Sequence, residues 1–389
     1  MRLCIVSPFP PGMRGIAEYG YHMARGLARE AAINHVIVLA DSVAGAPAEE
    51  ECEGVLVRRV WRRDDPAVGP RILQAIADAR PQVVWYNVGL SMFGGGVASS
   101  ASGLLTPLLT RLMGLPTVVT LHEVLDTLDL EHLGVKDQLL ARWGGRVATS
   151  ALLQANAVCV TLEAYATILR QRYAATNVVH MPHGLFQPPL AAPRCGTGTK
   201  LLMLAAHGPH KGLPVLLEAY RRLRAEMPGL ELMVVGDDHP RFPGYLGRVV
   251  ADWGQTSGVR WFGYLPEPDL ATAIAEAMVV VVPSIAATGA SSVVYRAAAA
   301  GTPVVASDLA DLRSLASESN FAIDFTPPGD VVSLIATLRS LLADPKRRLA
   351  LGQHNLQAAR NCTLEHTCNS YLQLFHHLLS SQRPLAELY

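Results

Sequence analysis

A chain of 389 residues, half of them hydrophobic and only 17% charged, is too apolar for a disordered protein and too long for one ordinary core. Its 33 basic and 33 acidic residues balance, so no basic face marks a nucleic-acid binder, whereas a small anionic ligand needs only a few local cations. Cys4, Cys52, Cys159, Cys195, Cys362 and Cys368 are scattered without a Cys-x-x-Cys pair and read as reduced thiols rather than disulfides or zinc ligands.

Strand-like residues begin at Leu3, which leaves no room for a signal peptide, and the longest apolar stretch, Val97–Leu121, is broken by Arg111, Gly114 and Pro116. The expectation is a cytoplasmic protein, with peripheral membrane contact left open. Along the first half, Leu3–Ser7, His35–Ala40, Val55–Val60, Gln82–Tyr86, Thr117–Leu121, Ala157–Thr161 and Val178–Met181 read as strands. Helical patterns such as Ile16–Glu30, Arg71–Arg80 and Gln138–Asn156 lie between them. Composition then changes over Phe186–Thr199, a stretch rich in Pro, Gly and Thr that reads as a linker. Alternation restarts with strands at Lys200–Ala205, Leu230–Val235, Val259–Phe262, Met278–Val282 and Pro303–Ala306. Helices are expected at Leu213–Met227, Tyr245–Trp253, Pro268–Ala277 and Ser291–Ala300, and dominate from Asp330 to Leu379. The fold class is α/β: two Rossmann-like domains, 1–185 and 200–364, joined by 186–199, with a ligand cleft between facing sheets.

Two turns carry the chemistry. Ala205–Gly212 follows an apolar strand and opens a helix, so Gly208 and Gly212 permit close backbone approach while Lys211 adds a point charge suited to phosphate. An ordinary βα turn with a solvated lysine would look the same. Pro283–Ser292 follows the wholly apolar Val279–Val282 and holds only small residues across Thr288, Gly289, Ala290, Ser291 and Ser292. That makes a second anion cradle, or simply a helix capped by Ser291 or Ser292. In the first half, His122 and Glu123 end an apolar strand, and His183 sits beside the turn residue Gly184. Phe9–Gly15 contains no Walker or dinucleotide fingerprint and reads equally as a close-packed turn or a substrate loop. Asp126 stands where an H-E-x-x-H zinc motif needs its second histidine, and no G-x-S-x-G elbow occurs, so no metal site or serine hydrolase is expected. Gly89–Gly103, followed by apolar Leu104–Met113, reads either as a mobile acceptor loop or as a buried helix with a flexible lead-in.

These features resemble the retaining GT-B glycosyltransferases of family 4 over nearly the whole chain. Lys211-Gly212 with Val215–Ala219 is similar to the family's K-G-x-x-x-L-L-E-A donor motif, and Leu232–Gly236 to its L-x-I-x-G strand. Val259–Glu267, which includes Tyr264, resembles the segment near the nucleotide base. Pro283-Ser284 with Ala299–Ala306 resembles the P-S … A-x-G-x-P-V-V-A frame, Thr120–Glu123 the T-x-H-D strand end, and Pro182–Gly184 the P-N-G element. The resemblance implies sugar transfer from a nucleotide sugar, such as a UDP- or GDP-sugar, with retention and without a further cofactor. It implies a catalytic pair in His122 and Lys211, and a donor site of His207, Gly208, Lys211, Tyr264, Thr288, Gly289, Ala290, Ser291, Ser292 and Arg296. Gly15, Glu123 and His183 would face a sugar, lipid-linked or small-molecule acceptor. The last helix, about 365–389, would return to the first domain.

The chain departs from this pattern where the family carries two paired glutamates, because those places fall at Thr288 and Arg296. An arginine side chain cannot accept the hydrogen bonds that a ribose hydroxyl gives a carboxylate. The arginine that precedes the family's donor lysine is also missing, and His207 or His210 is the expected substitute cation. A sugar-nucleotide 2-epimerase and a non-catalytic binding subunit are the alternative readings.

Overall fold

Each run of alternating strands and helices closes on its own mostly parallel sheet, and the chain divides into two compact α/β units. In the computed structural model the described residues are 1–11, 15–132, 134–135, 137–193, 199–286 and 289–380. Unit one holds residues 1–127, 137–183 and the chain from 364 onward; unit two holds 128–136 and 184–363.

In chain order, unit one is built from β1 (Arg2–Val6), α1 (Ile16–Ala28), β2 (His35–Asp41), β3 (Glu49–Cys52), β4 (Val55–Trp61), α2 (Val68–Ala79) and β5 (Val83–Val88). It continues with α3 (Val97–Leu104), α4 (Thr106–Leu112), β6 (Thr117–Leu121), α5 (Gln138–Leu152), β7 (Ala157–Val160), α6 (Glu163–Tyr173) and β8 (Val178–His180). The sheet order is β3-β4-β2-β1-β5-β6-β7-β8. Its central strands are buried on both faces, and for that reason they read as unbroken apolar runs such as VVWYNV in β5.

All seven strands expected in this half form. The eighth, β3, gave no β signal because its sequence is EEEC. It pairs antiparallel at the edge, where Glu49 meets Arg58 at 2.7 Å and Glu50 meets Arg59 at 2.6 Å. Acidic residues suit an edge, since they discourage pairing with a foreign strand. Val97–Gly103 of the candidate acceptor loop is helical, but the expected burial does not follow: Val97 is 78% exposed and Leu112 of α4 73%. Gly103 lets α3 lie directly on Phe93, where a Cβ would stand 2.3 Å from the ring.

Unit two is built from β9 (Lys200–Leu204), α7 (Leu213–Glu226), β10 (Glu231–Val235), α8 (Tyr245–Trp253), β11 (Val259–Phe262), α9 (Glu267–Glu276) and β12 (Val279–Val282). Then follow α10 (Ser292–Ala300), β13 (Val304–Ser307), α11 (Ala310–Glu318), β14 (Asp324–Thr326), α12 (Val331–Ala343) and α13 (Pro345–Ala359). Its wholly parallel sheet runs β11-β10-β9-β12-β13-β14. A core of Leu216, Leu217, Tyr220 and Leu223 from α7 packs with β9, β10 and β12 and with Leu334, Leu338 and Leu341 of α12.

The described part of the expected linker is tied to unit two. The Leu190 amide donates to the Ala299 carbonyl at 2.9 Å, and the Ala191 carbonyl accepts from Arg360. Residues 194–198, which include Cys195, lie outside the described residues. The chain finishes in unit one with α14 (Leu364–Ser380), which lies on α1. Residues 381–389 of the expected last helix are outside the described residues.

Candidate functional site

The strand order of unit two places β9 between β10 and β12, so the loops leaving their carboxyl ends are neighbours. The loop after β9 carries the turn Pro209–Lys211 and then Gly212, which starts α7 at φ 71°. Only glycine fits here, because a Cβ on Gly212 would stand 1.9 Å from the Pro283 carbonyl oxygen. The His210 carbonyl accepts from the Ile285 amide at 2.8 Å and from the Ala286 amide at 3.3 Å. These bonds join the lysine loop to the loop leading into α10. A second set joins it to the loop after β10: the His207 amide donates to the Asp237 carbonyl and the His239 amide to the His207 carbonyl, both at 2.7 Å. Gly236, at φ 110°, permits that approach; a Cβ there would meet the Ala205 carbonyl at 2.0 Å.

Lys211 therefore sits on a turn braced against the loop that leads towards α10. The amides of Ala290, Ser291 and Ser292 have no hydrogen-bond partner among the described residues, as expected for a helix start that can take an anion. Two features of the expected cradle need correction. The Gly289 amide donates to the buried Asp311 carboxylate at 3.3 Å, so it already has an anionic partner. Ser291 occupies the N-cap position without a side-chain capping bond. Thr288 lies outside the described residues.

Neither histidine supplies the expected substitute cation. His207 is fully buried and its Nε2 donates to the Val235 carbonyl at 2.9 Å. Burial pulls its pKa down to about 4. His210 is also fully buried, and burial followed by the charge of Lys211 holds it at about 3. Both are neutral at physiological pH, which leaves Lys211 the cation of this turn. Gly208 has an extended backbone that any residue adopts, yet a Cβ would reach 2.6 Å from the Phe242 ring.

Arg296 forms an ion pair with Glu267, the first residue of α9, and lies 5.5 Å over the Phe186 ring. Glu267 also accepts from Gln187 at 2.7 Å. Arg296 thus holds a carboxylate brought by another helix. Sequence reasoning passed over Glu267 although it ends the quoted segment Val259–Glu267; its place before an apolar helix was the available signal. Tyr264 is 56% exposed on the loop between β11 and α9.

Unit one brings His122, Tyr19 and His183 together. The Tyr19 ring lies 4.7 Å from the His122 ring and 5.0 Å from that of His183. His122 follows β6 and its Nε2 is 2.6 Å from Asn87 Oδ1. The Asn87 amide is oriented by its other bonds: Nδ2 donates to the Ile16 carbonyl at 2.7 Å and to Ser7 Oγ at 2.9 Å. A carbonyl only accepts, so Oδ1 must face His122 and accept the hydrogen bond that its Nε2–H donates. Loss of hydration, with the nearby His183, lowers the His122 pKa to about 3. His122 is therefore a neutral imidazole with an unprotonated Nδ1. Asn87, Ser7 and Tyr19 were missed because nothing local in sequence marks side chains that converge from different strands and helices. Gly20 makes room for them, since a Cβ there would stand 2.2 Å from Ser7 Oγ. Glu123 is half-buried at the same strand end. Gly15, at φ 52°, starts α1, and residues 12–14 before it lie outside the described residues. Among the described residues no group of His, Cys, Asp and Glu is placed to hold a metal ion.

Comparison with known proteins places this geometry. Residues 14–184 match the family described as glycosyl transferase 4-like domain, and residues 198–344 match the glycosyl transferases group 1. Both halves of the chain are thus similar to glycosyltransferases. Among curated proteins, the chain is 28% identical over 260 residues to MMP alpha-(1->4)-mannosyltransferase of Mycolicibacterium hassiacum, covering 64% of this chain and 61% of that protein. It is 30% identical over 175 residues to phosphatidyl-myo-inositol mannosyltransferase of Mycobacterium leprae, 43% of this chain and 45% of that one. The chain thus spans about half the length of these two relatives. A GDP-mannose-dependent phosphatidylinositol monomannoside mannosyltransferase of Mycolicibacterium smegmatis matches over 90% of this chain and 91% of its own, at 26% identity. Among solved structures, sucrose-phosphate synthase of Thermosynechococcus elongatus superposes with a TM-score of 0.77 over 98% of this chain and 99% of that one, at 19% identity. Anabaena HepE in complex with UDP and glucose gives 0.73 over 98% and 100%, at 16% identity. At such identities the likeness shows the fold: α/β, two Rossmann-like domains of the GT-B kind.

Proposed function

We propose that the chain transfers a hexosyl unit from a nucleotide sugar to an acceptor hydroxyl with retention of configuration. The observation that supports this reading is the joint between the lysine loop and the loop leading towards α10, made by the His210 carbonyl with the Ile285 and Ala286 amides. The diphosphate would be held there by Lys211 and the amides of Ala290–Ser292, with no resident cofactor assigned. Donors placed where charge grows on the leaving diphosphate lower the barrier, because they act more strongly in the transition state than on the bound donor. The neutral His122 would accept a hydrogen bond from a sugar or acceptor hydroxyl through Nδ1. The names of the relatives favour a mannosyl donor, GDP-mannose first, and a phosphoinositide or other lipid-linked acceptor ahead of a free sugar or small molecule.

The test is Lys211→Ala. Transfer should fall about a hundredfold or more with the thermal midpoint unchanged, following the usual cost of removing one such donor. A rate within threefold of wild type would remove the phosphate clamp. The Arg296–Glu267 pair favours one second reading, a nucleotide-sugar-binding subunit without transfer. Thermal shift with GDP, UDP and ADP alongside donor hydrolysis separates the two: stabilisation without any turnover supports the binding subunit.

A further inference from the structure

Fourteen large apolar side chains are strongly exposed among the described residues, and nine of them lie on or beside α3, α4 and α5, which pack on one another. On α5, Leu139 is 84% exposed and Trp143 68%, and Val147 continues the same stripe at a spacing of four. The opposite side of the helix is the one that is seated: a Cβ on Gly145 would stand 2.3 Å from Leu125, while nothing lies within 4 Å of one on Gly144. On α4, Leu112 is 73% exposed next to Met113. Arg142 and Arg146 form a parallel row on α5, and Arg111 donates from α4 to the Gln154 carbonyl just past α5. The three helices carry no aspartate or glutamate at all. Acids beside these helices are committed elsewhere: the Asp64 carboxylate accepts from the Gly95 and Gly96 amides at the start of α3. Asp137 caps α5, and Asp126 is taken by Arg172 and Tyr173.

From this we infer that the α3–α4–α5 face of unit one docks on an anionic lipid surface. Scattered exposed apolar residues are ordinary, but a concentration on three touching helices marks an interaction face. A Trp at mid-stripe, flanked by leucines and arginines, suits the boundary between headgroups and acyl chains. The charge decides the occupant. A symmetric dimer through this face would set arginine rows against arginine rows without one acid to pair them, whereas anionic headgroups neutralise them. Binding to a membrane surface presupposes neither donor nor transfer, so it stands or falls apart from the reading above.

The experiment is flotation of the full chain with vesicles of phosphatidylcholine alone or mixed with phosphatidylglycerol, without substrate. Wild type should float with the mixed vesicles, float far less with the neutral ones, and be released by salt. Arg142→Glu with Arg146→Glu should lower partitioning about tenfold or more, since each arginine near an anionic surface contributes measurably. Leu139→Ser with Trp143→Ser should lower it with the charge intact; both side chains are exposed, so the thermal midpoint should hold. Failure of wild type to float, or equal flotation of wild type and both variants, overturns the proposal. So does a concentration-dependent dimer in sedimentation equilibrium that these substitutions dissolve.

Discussion

Single residues decide whether the two loop clusters exist. Gly212 combines a left-handed backbone with a close approach to Pro283, so Gly212→Ala carries both a conformational penalty and a clash. The expected destabilisation is roughly 1–3 kcal/mol, read from the denaturant midpoint, together with weaker nucleotide binding. Asn87 acts through His122 by fixing its tautomer. Asn87→Asp would put a carboxylate against Nε2 and raise the His122 pKa from about 3. The imidazole would then gain a proton as pH falls through the raised value and lose its neutral acceptor form. Transfer by Asn87→Asp should decline from pH 8 to pH 6 while wild type stays flat, and a flat profile for both would reject this role. The sequence showed Lys211 and His122 because each ends or follows an apolar strand. It did not show that Asn87 would meet His122 or that Glu267 would meet Arg296, because those contacts span 35 and 29 residues.

At the scale of elements, α14 shows how a segment remote in sequence completes unit one. Tyr371 is fully buried; its hydroxyl lies 2.6 Å from Thr120 Oγ1 and accepts from the Tyr19 hydroxyl at 3.4 Å. Tyr371→Phe should cost about 1 kcal/mol, since it removes hydrogen bonds and leaves the ring packed against Trp85. The helix backbone comes close as well, because a Cβ on Gly26 would stand 2.6 Å from Cys368 Sγ. Gly26→Ala should therefore destabilise, and Cys368→Ala should relieve part of that loss by clearing the sulfur. Urea unfolding of both singles and the double gives the coupling; strictly additive effects would show that α14 is not seated against this glycine. The long strands and amphipathic helices were legible from period and composition alone. Strand β3 was not, since its glutamates are stabilised by Arg58 and Arg59 across the edge rather than by any strand preference of their own.

Over the whole molecule, four buried or half-buried histidines set a pH limit on folding. Burial holds His122 and His210 at about 3, and His207 and His239 at about 4. Their folded values lie below the ordinary value of 6.5, so protonation favours the unfolded chain. The stability they contribute is intact above about pH 6.5 and is lost as pH falls from there towards 4. The denaturant midpoint should be level from pH 8 to pH 7 and drop between pH 6.5 and pH 5; no drop would mean that these rings are protonated inside the fold. Two α/β units and the loops of Lys211 and Ser291 followed from sequence by itself, because strand burial imposes apolar runs and parallel sheets place loops at their carboxyl ends. The neutrality of His207 and His210, the pairing of Arg296 with Glu267 and the capture of the Gly289 amide by Asp311 were decided by tertiary structure. Charge state and hydrogen-bond partner depend on which distant groups surround a side chain and how much water they displace, and no local pattern encodes that.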